Sequence, residues 1–193
     1  MTRAGPTARR NASAGAYVAL LRGINVGGKR IVPMKSLVTM FLDAGCHKVE
    51  SYIQSGNVVF EASPTLARRL PAAIARAISG RFGFDVPIVL RAAGELRQVV
   101  HNNPFVSAGT PSEALHVMFL DGRPAAARVA RLQADRSPPD AFAVSGREIY
   151  LHCPRGMGRT RLTNDYFDTT LATISTVRNW RTVLRLLEMT AQA

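Results

Sequence analysis

Val49-Glu50-Ser51-Tyr52-Ile53-Gln54-Ser55-Gly56-Asn57-Val58-Val59-Phe60-Glu61 reads as two strands, Val49 to Ile53 and Asn57 to Glu61, joined by a Ser-Gly-Asn turn or bulge. The rest of the first half arranges itself around this hairpin. Upstream, Tyr17-Val18-Ala19-Leu20-Leu21 is a short unbroken apolar run, the pattern of a buried strand, and a Gly-rich loop from Gly23 to Gly28 ends it. A helix is expected from Pro33, whose missing N–H would have no partner in a first turn. Met34, Leu37, Val38, Phe41 and Leu42 give it an apolar stripe, and Gly45 supplies its C-terminal cap. Downstream, Ser63-Pro64 opens a second helix carrying Leu66, Leu70, Ile74 and Ile78 at intervals of four, with Pro71 expected to kink it or delay its start. Val86 to Arg91 is the fourth strand. Strand, helix, strand, strand, helix, strand is the order of a ferredoxin-like α-β plait.

After a connector helix near Glu95 to His101, ended by Asn102-Asn103-Pro104, the same order recurs. Leu115 to Leu120 is a strand and Pro124 to Ala134 a helix; Phe142 to Val144 and Glu148 to His152 pair around Ser145-Gly146. A helix from about Thr160 to Leu171 precedes a short strand at Thr173 to Thr176. Ser55-Gly56-Asn57-Val58-Val59-Phe60 aligns with Ser145-Gly146-Arg147-Glu148-Ile149-Tyr150, as an internal repeat would. A last helix places Trp180, Val183, Leu184 and Leu187 on one stripe. The predicted fold class is therefore α+β, two tandem ferredoxin-like (βαββαβ) subdomains with a C-terminal helix. The expected boundaries are 1–15 for a disordered extension, 16–92 and 114–176 for the plaits, 93–113 for the connector and 177–193 for the last helix.

Composition narrows the function classes. The 193 residues are 47% hydrophobic, enough for a sizeable core, and no apolar run is long enough to span a bilayer, so no membrane partner is expected. Lys and Arg number 25 against 13 acids, a formal charge of +12 that favours nucleic acid or a phosphorylated small molecule as partner. Two cysteines cannot build a disulfide framework and no secretory signal is visible, so a cytoplasmic location is expected. Paired plaits also associate through sheet edges or faces, which makes a homo-oligomer or an interaction module a further candidate.

Leu20-Leu21-Arg22-Gly23-Ile24-Asn25-Val26-Gly27-Gly28 resembles the opening motif of an uncharacterised bacterial family, domain-of-unknown-function family sixteen-ninety-seven. Tyr52 to Phe60, Gly158 to Asn164 and Thr176 to Val183 agree with it too, although Val177 and Arg181 depart from its usual Thr-Thr-Arg-Asn-Trp-Asn. The resemblance implies two plait-like subdomains and no reaction. It marks polar positions as candidates for ligand binding: Arg22, Asn25, Gln54, Ser55, Asn57, Arg159, Asn164, Arg178 and Asn179.

The residues themselves point to phosphate chemistry more than to catalysis. Gly23 to Lys29 satisfies G-x-x-x-x-G-K, but Arg30 stands where a magnesium-binding hydroxyl belongs, leaving an anion nest with Arg22 and Lys29 as the alternative to a purely structural loop. Gln54 to Asn57 is either a polar ligand site or ordinary turn chemistry. Tyr17 and Phe60 are the aromatics available for stacking bases, while Asn57 and Val59 occupy positions where a stacking platform needs rings. Cys46-His47 and His152-Cys153 lack metal-ligand spacing, so neither a metal nor a cofactor is expected. Asp165 and Asp168 read as solvated salt-bridge partners of nearby arginines. The arginines 155, 159, 161, 178, 181 and 185 form the candidate basic patch. The leading expectation is a binding protein for a phosphate-bearing ligand. An enzyme acting on a small phosphorylated metabolite, with His47 or His152 as general acid beside Arg22, is the alternative.

Overall fold

A computed structural model describes residues 14–192, so the expected N-terminal extension lies almost wholly outside the described residues. Strand β1, Gly15–Leu21, begins two residues before the apolar run. It is followed by helix α1 (Met34–Asp43), strands β2 (His47–Tyr52) and β3 (Asn57–Ala62), helix α2 (Pro64–Phe82) and strand β4 (Ile88–Ala92). These strands form an antiparallel sheet in the order β2-β3-β1-β4. Helices α3 (Ala93–His101) and α4 (Pro104–Ser107) lead to the second half. There β5 (Leu115–Leu120), α5 (Ala126–Val129), β6 (Ala141–Ser145), β7 (Glu148–His152), α6 (Asn164–Leu171), β8 (Ser175–Asn179) and α7 (Trp180–Gln192) follow. The second antiparallel sheet repeats the first, β6-β7-β5-β8.

Both faces of the inner strands of each sheet are covered. Ala19 and Leu21 of β1, with Val58 and Phe60 of β3, face Leu37 and Phe41 of α1 and Ile74 and Ile78 of α2. The alternate residues, Val18, Leu20 and Val59, face the other way and pack with Val117, Phe119 and Tyr150 of the second sheet. Leu96 and Val99 of α3 and Trp180, Val183 and Leu186 of α7 complete that central layer. Met118, Leu120, Ile149 and Leu151 meet Phe167 and Leu171 of α6 on the second outer face. The continuous apolar run of β1 thus follows from period-2 alternation with a buried partner on each side.

Several elements depart from the sequence reading. Helix α5 is a single turn instead of eleven residues, because Ala-rich Pro124–Ala134 carries only Val129 and Leu132 to hold it against the sheet. Helix α2 runs unbroken through Pro71, with Ser63 capping its start by accepting from Leu66 N–H at 3.2 Å. Packing of Leu70, Ile74 and Ile78 holds the turn in which Pro71 offers no N–H. Thr163, rather than Thr160, caps α6. Strand β8 extends through Val177, Arg178 and Asn179, which the sequence pattern assigns to the start of the last helix. On α7 the buried apolar positions are Trp180, Val183, Leu186 and Met189, so Leu184 and Leu187 lie at the edge of the stripe.

The repeat is real but its register is one residue off the sequence alignment. Asn57 pairs with Leu20 at the start of β3, as Glu148 pairs with Phe119 at the start of β7. Val18 pairs with Arg91, as Val117 pairs with Arg178. Asn57 therefore corresponds to Glu148, not Arg147. Four residues separate β2 from β3 and only two separate β6 from β7, and a one-residue slip exchanges the faces of every side chain. Phe60 is accordingly the counterpart of Leu151, both on outer faces, and Tyr150 that of Val59, both in the central layer.

Candidate functional site

The polar motifs of the sequence converge on the seam between the halves, where they meet each other rather than solvent. Arg178, on β8, reaches across to the first half with every N–H engaged. Its Nε donates to Asn57 Oδ1; Nη1 donates to Thr176 Oγ1 and Val177 O, both at 2.8 Å. Its Nη2 donates to Leu21 O at 2.7 Å and to Ser55 O and Gly56 O at 3.2 Å. All six acceptors are neutral. Burial with no counterion among the described residues lowers the guanidinium pKa from 12.5 to about 10. Asn57, fully buried, completes the unit by donating through Nδ2 to Tyr52 O and Ser55 Oγ.

Arg91 makes the mirror arrangement. From β4 its Nη2 donates to Leu120 O and Arg147 O, and Nη1 to Leu90 O, matching the bonds of Arg178 to Leu21, Gly56 and Val177. Its Nε meets Glu148 at 2.8 Å, where Arg178 meets Asn57. Desolvation lowers the Arg91 pKa and the Glu148 carboxylate opposes that shift. The two arginines are thus equivalent struts under a pseudo-twofold relation, one neutralised and one not.

Arg22 is also committed across the seam, to Asp165 at 3.0 Å and to Asp168. The sequence pattern makes both aspartates solvated; Asp165 is, but Asp168 is only 18% exposed at its side chain and its Oδ1 has no hydrogen-bond partner among the described residues. Asn25, at φ +56°, clamps the Gly-rich loop: Nδ2 donates to Val32 O and Gln54 O, and Oδ1 accepts from Val32 N–H. Val26 and Lys29 form an isolated bridge around Gly27 and Gly28, both at positive φ, so the loop is a two-residue hairpin and not a phosphate nest. Asn164 donates to Ser175 Oγ at 2.8 Å, and Asn179 Oδ1 accepts from Thr182 N–H to cap α7. Of the ten candidate ligand residues, Lys29, Gln54 and Arg159 are exposed with no side-chain partner among the described residues; Ser55 and the other six have structural roles.

The C-terminal arginines do not form one patch. Arg178 is interior, Arg181 pairs with Glu113, Arg185 pairs with Glu188, and Arg155 donates to Pro138 O. Neither histidine lies beside Arg22. His47 pairs with Glu61, which pairs with Ala16, so it sits at the start of β1, roughly 20 Å along the strand from Arg22. His152, at the end of β7, packs against Phe105. Phe60 is buried against Tyr17 and Phe41, which removes the candidate stacking pair from the surface. Burial pushes the thiols of Cys46 and Cys153 up to about 11, so neither is a nucleophile at neutral pH.

A basic helix face escapes a search for motifs although its signal is present in the sequence. Residues 62–84 contain no acid, and α2 carries Arg68, Arg69, Arg76 and Arg81, all exposed. None of the four has an ion pair among the described residues. Arg68, Arg69 and Arg76 fall within about 100° of the helix circumference, with Thr65 and Ala72 among them and Gly80 at its edge. Residues 15–42 are acid-free as well, and place Lys29, Arg30 and Lys35 at the surface of the same half.

Two layered sheets, a reciprocal pair of arginine struts and a seam built from the motif residues define an internally duplicated α+β protein. The chain belongs to the family described as "Protein of unknown function (DUF1697)", whose model matches residues 15–150. Its fold is similar to that of the conserved bacterial protein SP0830 from Streptococcus pneumoniae, at a TM-score of 0.66 and 21% identity over 92% of this chain and 99% of that one. No curated protein matches it significantly.

Proposed function

We propose that this chain is a basic, cytoplasmic binding protein for phosphate-bearing polyanions, nucleic acid foremost, docking by the outer face of α2. The observation that carries the reading is the acid-free arginine face of that helix. Arg181 and Arg185 of α7 each have a glutamate, as Arg147 has Glu95, whereas Arg68, Arg69 and Arg76 share one face of a single helix with no ion pair among the described residues. Arg68 and Arg76 stand about 12 Å apart along the axis, a span that suits separate, non-adjacent phosphates along a strand better than a single mononucleotide. Small residues between them let a backbone approach. Because helices or the other sheet cover both faces of the inner strands β1, β3, β5 and β7, recognition is of the phosphate backbone, without stacked bases. The strand order of each half supports the reading of two ferredoxin-like plaits, bounded near residues 16–92 and 114–179, with the charge concentrated in the first.

Binding of a labelled mixed-sequence duplex across a salt series tests this. Replacing Arg68, Arg69 and Arg76 by Gln should flatten the slope of log K against log salt by about 2–3, at about 0.9 for each phosphate no longer neutralised. An unchanged slope rejects α2 as the docking face, and no binding by the wild type at low salt rejects the function.

A further inference from the structure

Residues Val26 to Ile31 project from the end of β1 as a small, tied hairpin. Backbone bonds from Asn25 N–H to Arg30 O and from Lys29 N–H to Val26 O close it, and the Asn25 side chain pins its base to Val32 and to the β2–β3 turn. At Gly27 and Gly28 a Cβ would meet nothing within 4 Å, so the tip stands in open space. Val26 is 65% exposed and Ile31 52%, with Ile53 of the neighbouring turn at 50%. Lys29 and Arg30 are exposed between the first two. Branched aliphatic side chains held out on a rigid turn, with two cations and no acid from residue 15 to 42, have no role in this chain's own core.

From this juxtaposition we infer that the Val26–Ile31 hairpin is a groove probe for double-stranded nucleic acid. The inference rests on the polyanion reading above but concerns different residues. A two-stranded ribbon, with strands about 4.8 Å apart, fits a major groove about 12 Å wide. Lys29 and Arg30 meet the flanking phosphates, and Val26 and Ile31 contact thymine methyls or the edges of base steps. A convex tip cannot enclose a small ligand. As a protein-docking surface a tip of this size offers far fewer residues than the roughly 20–30 per side that a stable complex uses.

The test compares a 20-base-pair DNA duplex with a single strand of the same length by fluorescence anisotropy, using the full chain. Val26→Ser/Ile31→Ser keeps the charge and removes the apolar tip. It should weaken duplex binding about tenfold while leaving single-strand affinity and the salt slope unchanged. Lys29→Gln/Arg30→Gln should lower the duplex slope by about 2. Both pairs are at the surface, and an unchanged melting temperature verifies the fold. Equal losses on duplex and single strand, or no loss on the duplex, overturns the groove probe. If the α2 variant still weakens binding in that case, the polyanion reading stands without the probe; if the wild type binds neither, both fall. Light scattering that finds a wild-type dimer broken by Val26→Ser/Ile31→Ser also overturns it, in favour of a second copy as occupant.

Discussion

Replacing Arg178 by Lys separates a structural strut from a ligand-binding group, because it preserves the charge and removes the fork. Arg178 makes six hydrogen bonds through five N–H groups, to acceptors lying both in its own strand and across the seam. An ammonium has three N–H groups on one atom and cannot reach both sets, so at least three of the bonds go. The burial penalty of a positive charge is common to the two side chains and largely cancels. At about 1–1.5 kcal/mol per buried hydrogen bond the loss is about 3–4.5 kcal/mol. For a chain of this size that is a fall in Tm of about 10 °C.

The assay is thermal and urea unfolding of Arg178→Lys beside Arg159→Lys, an exposed site without a side-chain partner among the described residues. The control should stay within about 0.5 kcal/mol of the wild type. Were Arg178 a phosphate ligand, lysine would preserve both stability and most of the affinity. A Tm within about 2 °C of the wild type would refute the strut.

Three further outcomes follow from the same geometry. Gly56 has φ +78°, and a Cβ there would lie 2.8 Å from Leu21 Cβ and 2.9 Å from Ile24 Cδ1, so Gly56→Ala should cost about 3 kcal/mol or more. At Gly27 the same change meets open space and should cost about 1–2 kcal/mol, and equal losses in urea unfolding would show the Gly56 packing to be soft. Cys46 and Cys153, raised from 9.0 to about 11, and Tyr150, raised from 10.0 to about 12, keep their protons longer folded than unfolded. Their contribution is complete below pH 9 and is lost as pH rises through about 12, at about 2–3 kcal/mol per group; stability that stays level from pH 9 to 11 contradicts this. Asp168→Asn should lower stability by about 1 kcal/mol in low salt and by less in 1 M NaCl, since Arg22 and Asp168 are only partly shielded from solvent; a loss that does not respond to salt would count against the ion pair.

Much of the fold was legible because it is written in local periodicity. The strands Leu115–Leu120 and Glu148–His152 stand where alternation and turn residues put them, as do the turn before Asn57 and the helix that Ser63 caps. Helix α5 was not legible, since an Ala-rich stretch has helical propensity but too few apolar neighbours to use it. The chain's own composition also contained the arginine face of α2, which a search for motifs passes over in favour of the denser arginines after residue 155.

The candidate site divides along the same line. Sequence alone determined the excess of positive charge and the repeated order of strands and helices, because each is a property of order and composition; the polar candidates came from the motifs shared with the family. It could not determine what those residues touch. Arg178 lies 121 positions from Asn57 and 157 from Leu21, and only the stacking of one sheet on the other brings them together. That packing buries a guanidinium among neutral acceptors and leaves other cations outside, among them those of α2 and the Val26–Ile31 hairpin. Tertiary structure decided which cations are struts and which are free, because burial and pairing depend on neighbours that no stretch of chain contains.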